Sequence, residues 1–410
     1  MRTRSHIYLA SLQWDGLWII QQPVCREISR RESVLFVERF VSFFTVLRYP
    51  RLWKRLFAWL RGARQLGPNL RVLAPLPLWH LGHRVPWLFR MEFAIQRWWI
   101  LLWAGDNAHD NRILWVDNPL YECGVGRLGE RLSVYHLADE IAAFPTSHAI
   151  TIERLEGKLL EKVDVCFAAA EQLGREKRHH HARVFTIWNA VDGGVFEAAH
   201  TREASFQSVA ELVGPKVAFV GVLDEWVDVD LLAAVAERLP KVHFLVIGPS
   251  NIDDRLLYQR ANVHRLGRQD RADIPHLLRR CSASLVPFKK TRLTERILPL
   301  KVFEALAAGA TPVCTAFSPD LQELAREGLV LLGDSPEDFA SLVELAIAKD
   351  EPLHRARLER YGRAQTWEAR WAQMSSILDS VLDEPEQAGP GRRPSQSPAD
   401  NATIKHEDRN

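Results

Sequence analysis

Long apolar runs, paired cysteines and clustered carboxylates are all missing from this 410-residue sequence, and each absence excludes a class of protein. The longest uncharged aromatic run, Trp98-Trp-Ile-Leu-Leu-Trp-Ala-Gly105, is eight residues. A spanning helix requires roughly 20, so no bilayer crossing is predicted. Cys25, Cys123, Cys166, Cys281 and Cys314 are far apart with no C-x-x-C pair, which excludes a zinc ribbon or disulfide scaffold and predicts reduced, mostly buried thiols. Met1-Arg-Thr-Arg-Ser-His6 runs into a short apolar strand, Ile7-Tyr-Leu-Ala10, too brief for a signal-peptide core, so a cytosolic chain is expected. No carboxylates stand at metal-ligand spacing, and three consecutive histidines, His179-His-His181, cannot all face one ion, so no bound metal is expected. The formal charge of +2, from 53 basic and 51 acidic side chains, excludes a uniformly cationic nucleic-acid binder.

With 47% hydrophobic and 25% charged residues the chain is globular, and its length favours two cores over one. Short β-branched runs alternate with longer stretches of helical period, the pattern of parallel α/β sheets, and the alternation occurs twice. The first set of strands falls between His6 and Ile187 and the second between Lys216 and Leu332. We therefore divide the chain into a domain at 1–192, a polar linker at 193–214, a second domain with a terminal helix at 215–382, and a tail at 383–410. That tail has no apolar period and reads as disordered.

Ligands of doubly wound sheets sit beyond the carboxyl ends of the strands. In the second half those positions hold Gly221, Gly248, Arg268, Lys289, Lys290 and Arg292. Glycine directly after an apolar strand lets a ligand approach the backbone, although turn chemistry alone places glycine there too. The stronger pattern is the cationic Lys289-Lys290-Thr-Arg292 ahead of a helix opened at Pro299 and ended at Gly309. Cations beside a positive helix N-terminus suit a diphosphate. Glu304, in the second turn, suits a vicinal diol such as a ribose; without a ligand the same residues would be a solvated helix face.

Pro299-Leu-Lys301-Val-Phe-Glu304-Ala-Leu-Ala-Ala-Gly-Ala-Thr-Pro-Val313 resembles the donor-binding helix of GT-B glycosyltransferases of family 4, particularly the branch for teichuronic acid and other surface polysaccharides. Trp188-Asn-Ala-Val-Asp192 with Phe196, Phe219-Val-Gly-Val-Leu-Asp-Glu-Trp226, Val246-Ile-Gly-Pro249, Asn262-Val-His-Arg-Leu-Gly267 and Leu285-Val-Pro-Phe288 are similar to family motifs in the same order. The first half resembles the family through Trp14-Asp-Gly16 and Val134-Tyr-His-Leu-Ala-Asp-Glu140. The resemblance implies two Rossmann-like domains facing a cleft. A nucleotide-sugar donor would lie on the second domain, held by Gly221, Gly248, Arg268, Lys289, Lys290, Arg292, Lys301 and Glu304. A glycan or lipid-linked acceptor would lie on the first, near Gly16, with His136 and Asp139 as catalytic candidates, and transfer would be retaining without cofactor or metal. One departure stands out: the family's first glutamate, eight positions before Glu304, falls on Arg296, with Glu295 beside it. Two alternatives therefore stay open, a silent GT-B module that binds glycan or scaffolds an assembly, and a GT-B sugar-nucleotide epimerase.

Charge is unevenly placed. Between Glu38 and Glu92 there is no acidic residue, whereas Arg39, Arg48, Arg51, Lys54, Arg55, Arg61, Arg64, Arg71, Arg84 and Arg90 are basic. Leu52, Trp53, Leu56, Phe57, Trp59 and Leu60 share a helical face flanked by Lys54, Arg55 and Arg61, the composition of a helix lying on an anionic membrane. Nine of the 14 tryptophans precede residue 104, and indole favours the headgroup zone. The expected location is the inner membrane face; the plainer reading is a helix packed on its own sheet.

Overall fold

The computed structural model describes residues 4–16, 18–43, 57–79, 85–105, 111–143, 148–201 and 206–384. The first sheet is built from β1 (Ser5–Leu9), β2 (Ser33–Val37), β3 (Ala63–Gly67), β4 (Leu70–Leu73), β5 (Arg112–Val116), β6 (Leu132–Leu137), β7 (Val165–Ala168) and β8 (Val184–Thr186). The second contains β9 (Lys216–Val220), β10 (His243–Ile247), β11 (Val263–Gly267), β12 (Ala283–Val286), β13 (Thr311–Cys314) and β14 (Leu331–Leu332). Their orders are β3-β4-β2-β1-β5-β6-β7-β8 and β11-β10-β9-β12-β13-β14. Each sheet reverses direction of growth beside its first strand, at β1/β5 and at β9/β12, which opens a crevice at the carboxyl edge there.

Burial on both faces explains the apolar strands. Along β1, Ile7 and Leu9 meet one core and Tyr8 the other, the period-2 alternation of a sheet covered on both sides. One face packs on Phe89, Phe93 and Ile100 of the Pro86–Ala104 helix. The opposite face packs on Val24 and Ile28 of the Gln21–Ser29 helix. β3 is the exception: it pairs antiparallel at the sheet edge, and its Arg64, Gln65 and Leu66 are exposed. Backbone pairing rather than burial holds it.

Three features differ from the sequence-based division. The linker region is partly helical, at Gly193–Thr201 and Gln207–Ala210. The pattern after Pro352 is two helices, Pro352–Ala364 and Trp367–Asp383. The second of these returns to the first domain: Trp367, Met374 and Leu378, spaced for one helical face, are buried against the core containing Tyr8 and Trp115. Arg4 donates to Asp379 at 2.7 Å and to Ser375 at 2.6 Å, fastening that helix to the first strand. All five cysteines are buried and unpaired.

Candidate donor site at the second sheet

At the carboxyl edge of the second sheet two glycines sit in contact. Gly248 has φ 137°, and a Cβ there would lie 1.9 Å from the Gly221 carbonyl oxygen. Gly221 has φ 142°, and its Cβ would lie 2.6 Å from Lys301 Nζ. Side chains are excluded at both positions, so the backbone edge stays open beside the lysine.

Lys301 is the second residue of the Leu300–Ala307 helix, which Pro299 caps and after which Gly309 (φ 76°) turns the chain. Its ammonium lies 4.8 Å from the Phe219 ring centroid and 4.7 Å from that of Phe288. Burial pushes its pKa down to about 8, while the neighbouring Glu304 and Cys314 pull it upward. Three residues on, Glu304 is one helical turn away. Its pKa is raised by burial, against the pull of Arg271 and Lys301.

Arg271 is a cation beside this cluster that the sequence pattern does not single out. It lies in the alternating charges of Gly267-Arg-Gln-Asp-Arg-Ala-Asp273, which resemble a solvated loop. In the structure it stands 3.5 Å from Asp192, and its guanidinium is 4.8 Å from the Trp18 ring centroid. Arg26 lies 4.2 Å from the same ring, so an indole of the first domain helps set a cation of the second. Desolvation lowers the pKa of Arg271, and Asp192 and Glu304 oppose that shift.

The other expected cations divide. Arg268 and Lys289 are exposed. Lys290 and Arg292, expected to face phosphates, are instead held by carboxylates: Lys290 by Asp334 at 2.7 Å and Arg292 by Glu153 of the first domain at 2.7 Å. Arg296 also crosses between domains, 2.6 Å from Glu176 and 3.6 Å from Glu140. Further contacts fix the two domains together. Trp188 Nε1 donates to Asp320 at 2.7 Å, the Glu171 amide to the same carboxylate at 2.9 Å, and Asn189 to the Leu298 carbonyl at 2.8 Å.

On the first domain the sequence expectation for His136 needs correction. β6 spans Leu132–Leu137, so His136 is inside the ladder and its side chain belongs to a buried sheet face. Its ring faces Tyr8 and Trp115, and Nδ1 is 2.7 Å from the Tyr8 hydroxyl. At 1% exposure, with its pKa pushed down to about 3 by burial, it is a neutral core residue. Asp139 does lie past the strand end, and burial raises its pKa to about 6. Glu140, next to it, is 3.7 Å from Lys177 and 3.6 Å from Arg292, and its Oε2 accepts no hydrogen bond from the described residues. Gly16 lies in the loop after β1, and its amide donates to the Gln13 carbonyl at 3.0 Å. Beside that loop Asp117 accepts from the Ser11 amide and hydroxyl at 3.0 Å and from Gln21 at 3.1 Å.

Of the expected membrane residues, Trp53, Lys54 and Arg55 lie outside the described residues. Phe57 and Arg61 are exposed, and Trp59 is half-buried, edge-on to Trp99 at 6.1 Å.

Residues 214–349 match the family model described as Glycosyl transferases group 1. The match falls on the second domain, the one that carries the glycine edge, Lys301 and Glu304. Over 241 residues the chain is 24% identical to a Bacillus subtilis (strain 168) protein, TuaH, named as a teichuronic acid biosynthesis glycosyltransferase. That alignment covers 54% of this chain and 58% of TuaH. Among solved structures, the sucrose-phosphate synthase of Thermosynechococcus elongatus superposes with a TM-score of 0.68 at 16% identity, covering 92% of this chain and 99% of that one. Anabaena Alr3699/HepE, solved in complex with UDP and glucose, gives 0.62 at 15% identity, with coverage of 92% and 99%. The trehalose-6-phosphate synthase OtsA gives 0.64 at 13% identity, with coverage of 93% and 99%. At these identities the likeness establishes the fold alone, the GT-B fold with its two α/β sheets.

Proposed function

We propose that the chain is a retaining glycosyltransferase that moves a sugar from a nucleotide-sugar to a lipid-linked or polysaccharide acceptor at the cytoplasmic face of the membrane. The observation that carries this reading is the cluster of Lys301, Glu304 and Arg271 around an open glycine edge at a helix N-terminus. Two cations beside one carboxylate match a diphosphate next to a ribose diol. Transfer breaks the bond between the anomeric carbon and the diphosphate oxygen, so negative charge develops on the departing phosphate. In this reading Lys301, Arg271 and the first amides of the Leu300–Ala307 helix stabilise it without a metal ion. The acceptor hydroxyl oxygen forms the new bond to that carbon while its proton passes to the departing diphosphate oxygen, and we assign Asp139 to orient that hydroxyl through a hydrogen bond.

UDP is the donor nucleotide to test first, since the similar Alr3699/HepE structure holds UDP. The surface-polysaccharide acceptor class is supported by the TuaH alignment, and the membrane-face location by the acid-free segment between Glu38 and Glu92. No helix among the described residues is long and apolar enough to cross a membrane, which fits a peripheral attachment. Titration calorimetry with UDP and UDP-sugars tests the donor site. Glu304→Gln is expected to weaken UDP by roughly 10- to 150-fold, the loss of about 1.5–3 kcal/mol of charge-assisted bonding. Unchanged affinity in a folded variant would remove the site from the reading.

A second reading, binding without turnover, is favoured by Arg296. Its guanidinium is tied to Glu176, and the adjacent Glu295 is exposed, so neither offers a fixed carboxylate to a donor sugar. Release of UDP from a UDP-sugar only when an acceptor is present would support transfer; tight binding with no release would support the silent module.

A further inference from the structure

The Pro86–Ala104 helix carries an apolar face that the described residues leave uncovered. Trp87, Met91, Ile95, Trp98 and Leu102 are exposed, Trp98 at 66% and Trp87 at 64%. Their spacings of four, four, three and four residues place them within an arc of roughly 80°. The opposite face, with Phe89, Phe93 and Ile100, is buried on the first sheet. The helix is also pinned by polar contacts: Gln96 bonds both the amide and carbonyl of Leu76, at 2.9 and 2.7 Å, and Trp99 donates to the Ala74 carbonyl at 3.1 Å. The exposed stripe is thus a rigid surface.

Charge identifies what that surface fits. Arg90 and Arg97 are exposed along one flank of the stripe. On the other flank Gly62 lies against Trp103 and Trp59 against Trp99, which sets the exposed Phe57, Leu60 and Arg61 beside it. The helix has one acidic residue, Glu92, and it is buried. Arg90 pairs with the buried Glu122 at 2.6 Å, but Glu122 also contacts Lys162, so one positive charge is left over in that group. An apolar, tryptophan-rich stripe between cationic flanks matches an anionic lipid surface, with indoles at headgroup depth and arginines on lipid phosphates.

We infer that the Pro86–Ala104 helix lies flat on an anionic bilayer and is the surface through which this chain docks, rather than the Trp53 to Arg61 segment alone. This rests on the membrane-face reading above and names its contact. β4 ends at the carboxyl edge of the sheet and β5 begins at the opposite edge, so the helix between them starts, at Trp87, near the cleft. A lipid-borne acceptor would reach the first domain from that end.

The test is co-sedimentation of the full chain with phosphatidylcholine vesicles, with and without phosphatidylglycerol. Wild type is expected to bind the anionic vesicles at low salt and to be released as salt rises. Trp87→Ser with Trp98→Ser is expected to lower partitioning at least tenfold while UDP binding, measured in parallel, is unchanged. Leu353→Ser, at a residue 85% exposed in the second domain, is expected to change nothing. Arg61→Gln with Arg97→Gln should reduce binding and flatten its salt dependence. A chain that stays in the supernatant, or a stripe variant that sediments like wild type, would overturn the inference. So would light scattering showing a wild-type dimer that the stripe variant converts to monomer, because a second copy would then cover this face. Vesicle binding without any nucleotide binding would leave the inference standing and remove the donor reading instead; the reverse result would do the opposite.

Discussion

Replacing Lys301 by methionine should make the unliganded protein more stable and its nucleotide binding weaker. The pKa of the ammonium falls from 10.5 to about 8 through burial, a difference of about 2.5 units, or about 3 kcal/mol of penalty on the charged form. The Phe219 and Phe288 rings return part of that by cation–π attraction, so a gain of about 1–2 kcal/mol is the reasonable size for the variant. The sign follows from proton counting. Between pH 8 and 10.5 the unfolded chain holds a proton on Lys301 that the folded chain has released, so wild-type stability from this group rises with pH across that window. Below pH 8 the full penalty applies. Lys301→Met should therefore melt a few degrees higher than wild type at pH 7, with the advantage shrinking toward pH 10. Its affinity for UDP should drop roughly 10- to 150-fold, and for uridine hardly at all. Thermal melts across pH, with and without ligand, measure both effects. A variant that is destabilised at pH 7 while binding UDP normally would refute the argument, because Lys301 would then be a structural cation.

Arg271→Ala should weaken UDP by a similar factor, and Trp18→Leu by a smaller one of roughly 3- to 10-fold, since Trp18 acts by holding the guanidinium; calorimetry that ranks Trp18→Leu above Arg271→Ala would contradict this order. Gly248→Ala forces a Cβ to within 1.9 Å of the Gly221 carbonyl and should destabilise the fold by several kcal/mol, checked by chemical denaturation. Asp117, whose pKa burial raises to about 7, holds a proton in the folded chain that the unfolded chain has lost above pH 3.8. Stability from this group should fall as pH rises from about 4 to 7, and Asp117→Asn should flatten that slope in denaturation curves. Arg296→Ala removes contacts to Glu176 and Glu140 and should raise protease sensitivity at the domain junction without changing UDP affinity; an unchanged digestion pattern would show that the pair is dispensable.

The strands were readable because both sheet faces are buried. Leu132–Leu137, His243–Ile247 and Thr311–Cys314 agree with their apolar runs to the residue. β3 escaped notice because Ala-Arg-Gln-Leu-Gly67 has no alternation; its edge position is fixed by hydrogen bonds to β4, which composition does not report. At the candidate donor site, the placement of Lys301 and Glu304 on one short helix was legible since a helix start flanked by proline and glycine is a local signal. Arg271 was not, since its role depends on Trp18, which belongs to the other domain. For the same reason Lys290 and Arg292 misled: charge is visible in sequence, but the carboxylates that neutralise them, Asp334 and Glu153, are supplied by the tertiary fold. His136 misled through register, because period-2 geometry turns it to the face that carries Trp115 and the terminal helix.

The returning Trp367–Asp383 helix has a mechanical consequence. The chain passes between the domains twice, near Val191 and near Thr366, and those two passages are bridged to each other in parallel by the Val191 amide donating to the Gln365 carbonyl at 2.8 Å and the Trp367 amide to the Val191 carbonyl at 3.2 Å. A single tether would let one domain swivel about any axis. Two passages bonded side by side leave the domains fewer ways to move than one strand would, so the pairing of Trp18 with Arg271 is held by the connections as well as by the contacts between the domains.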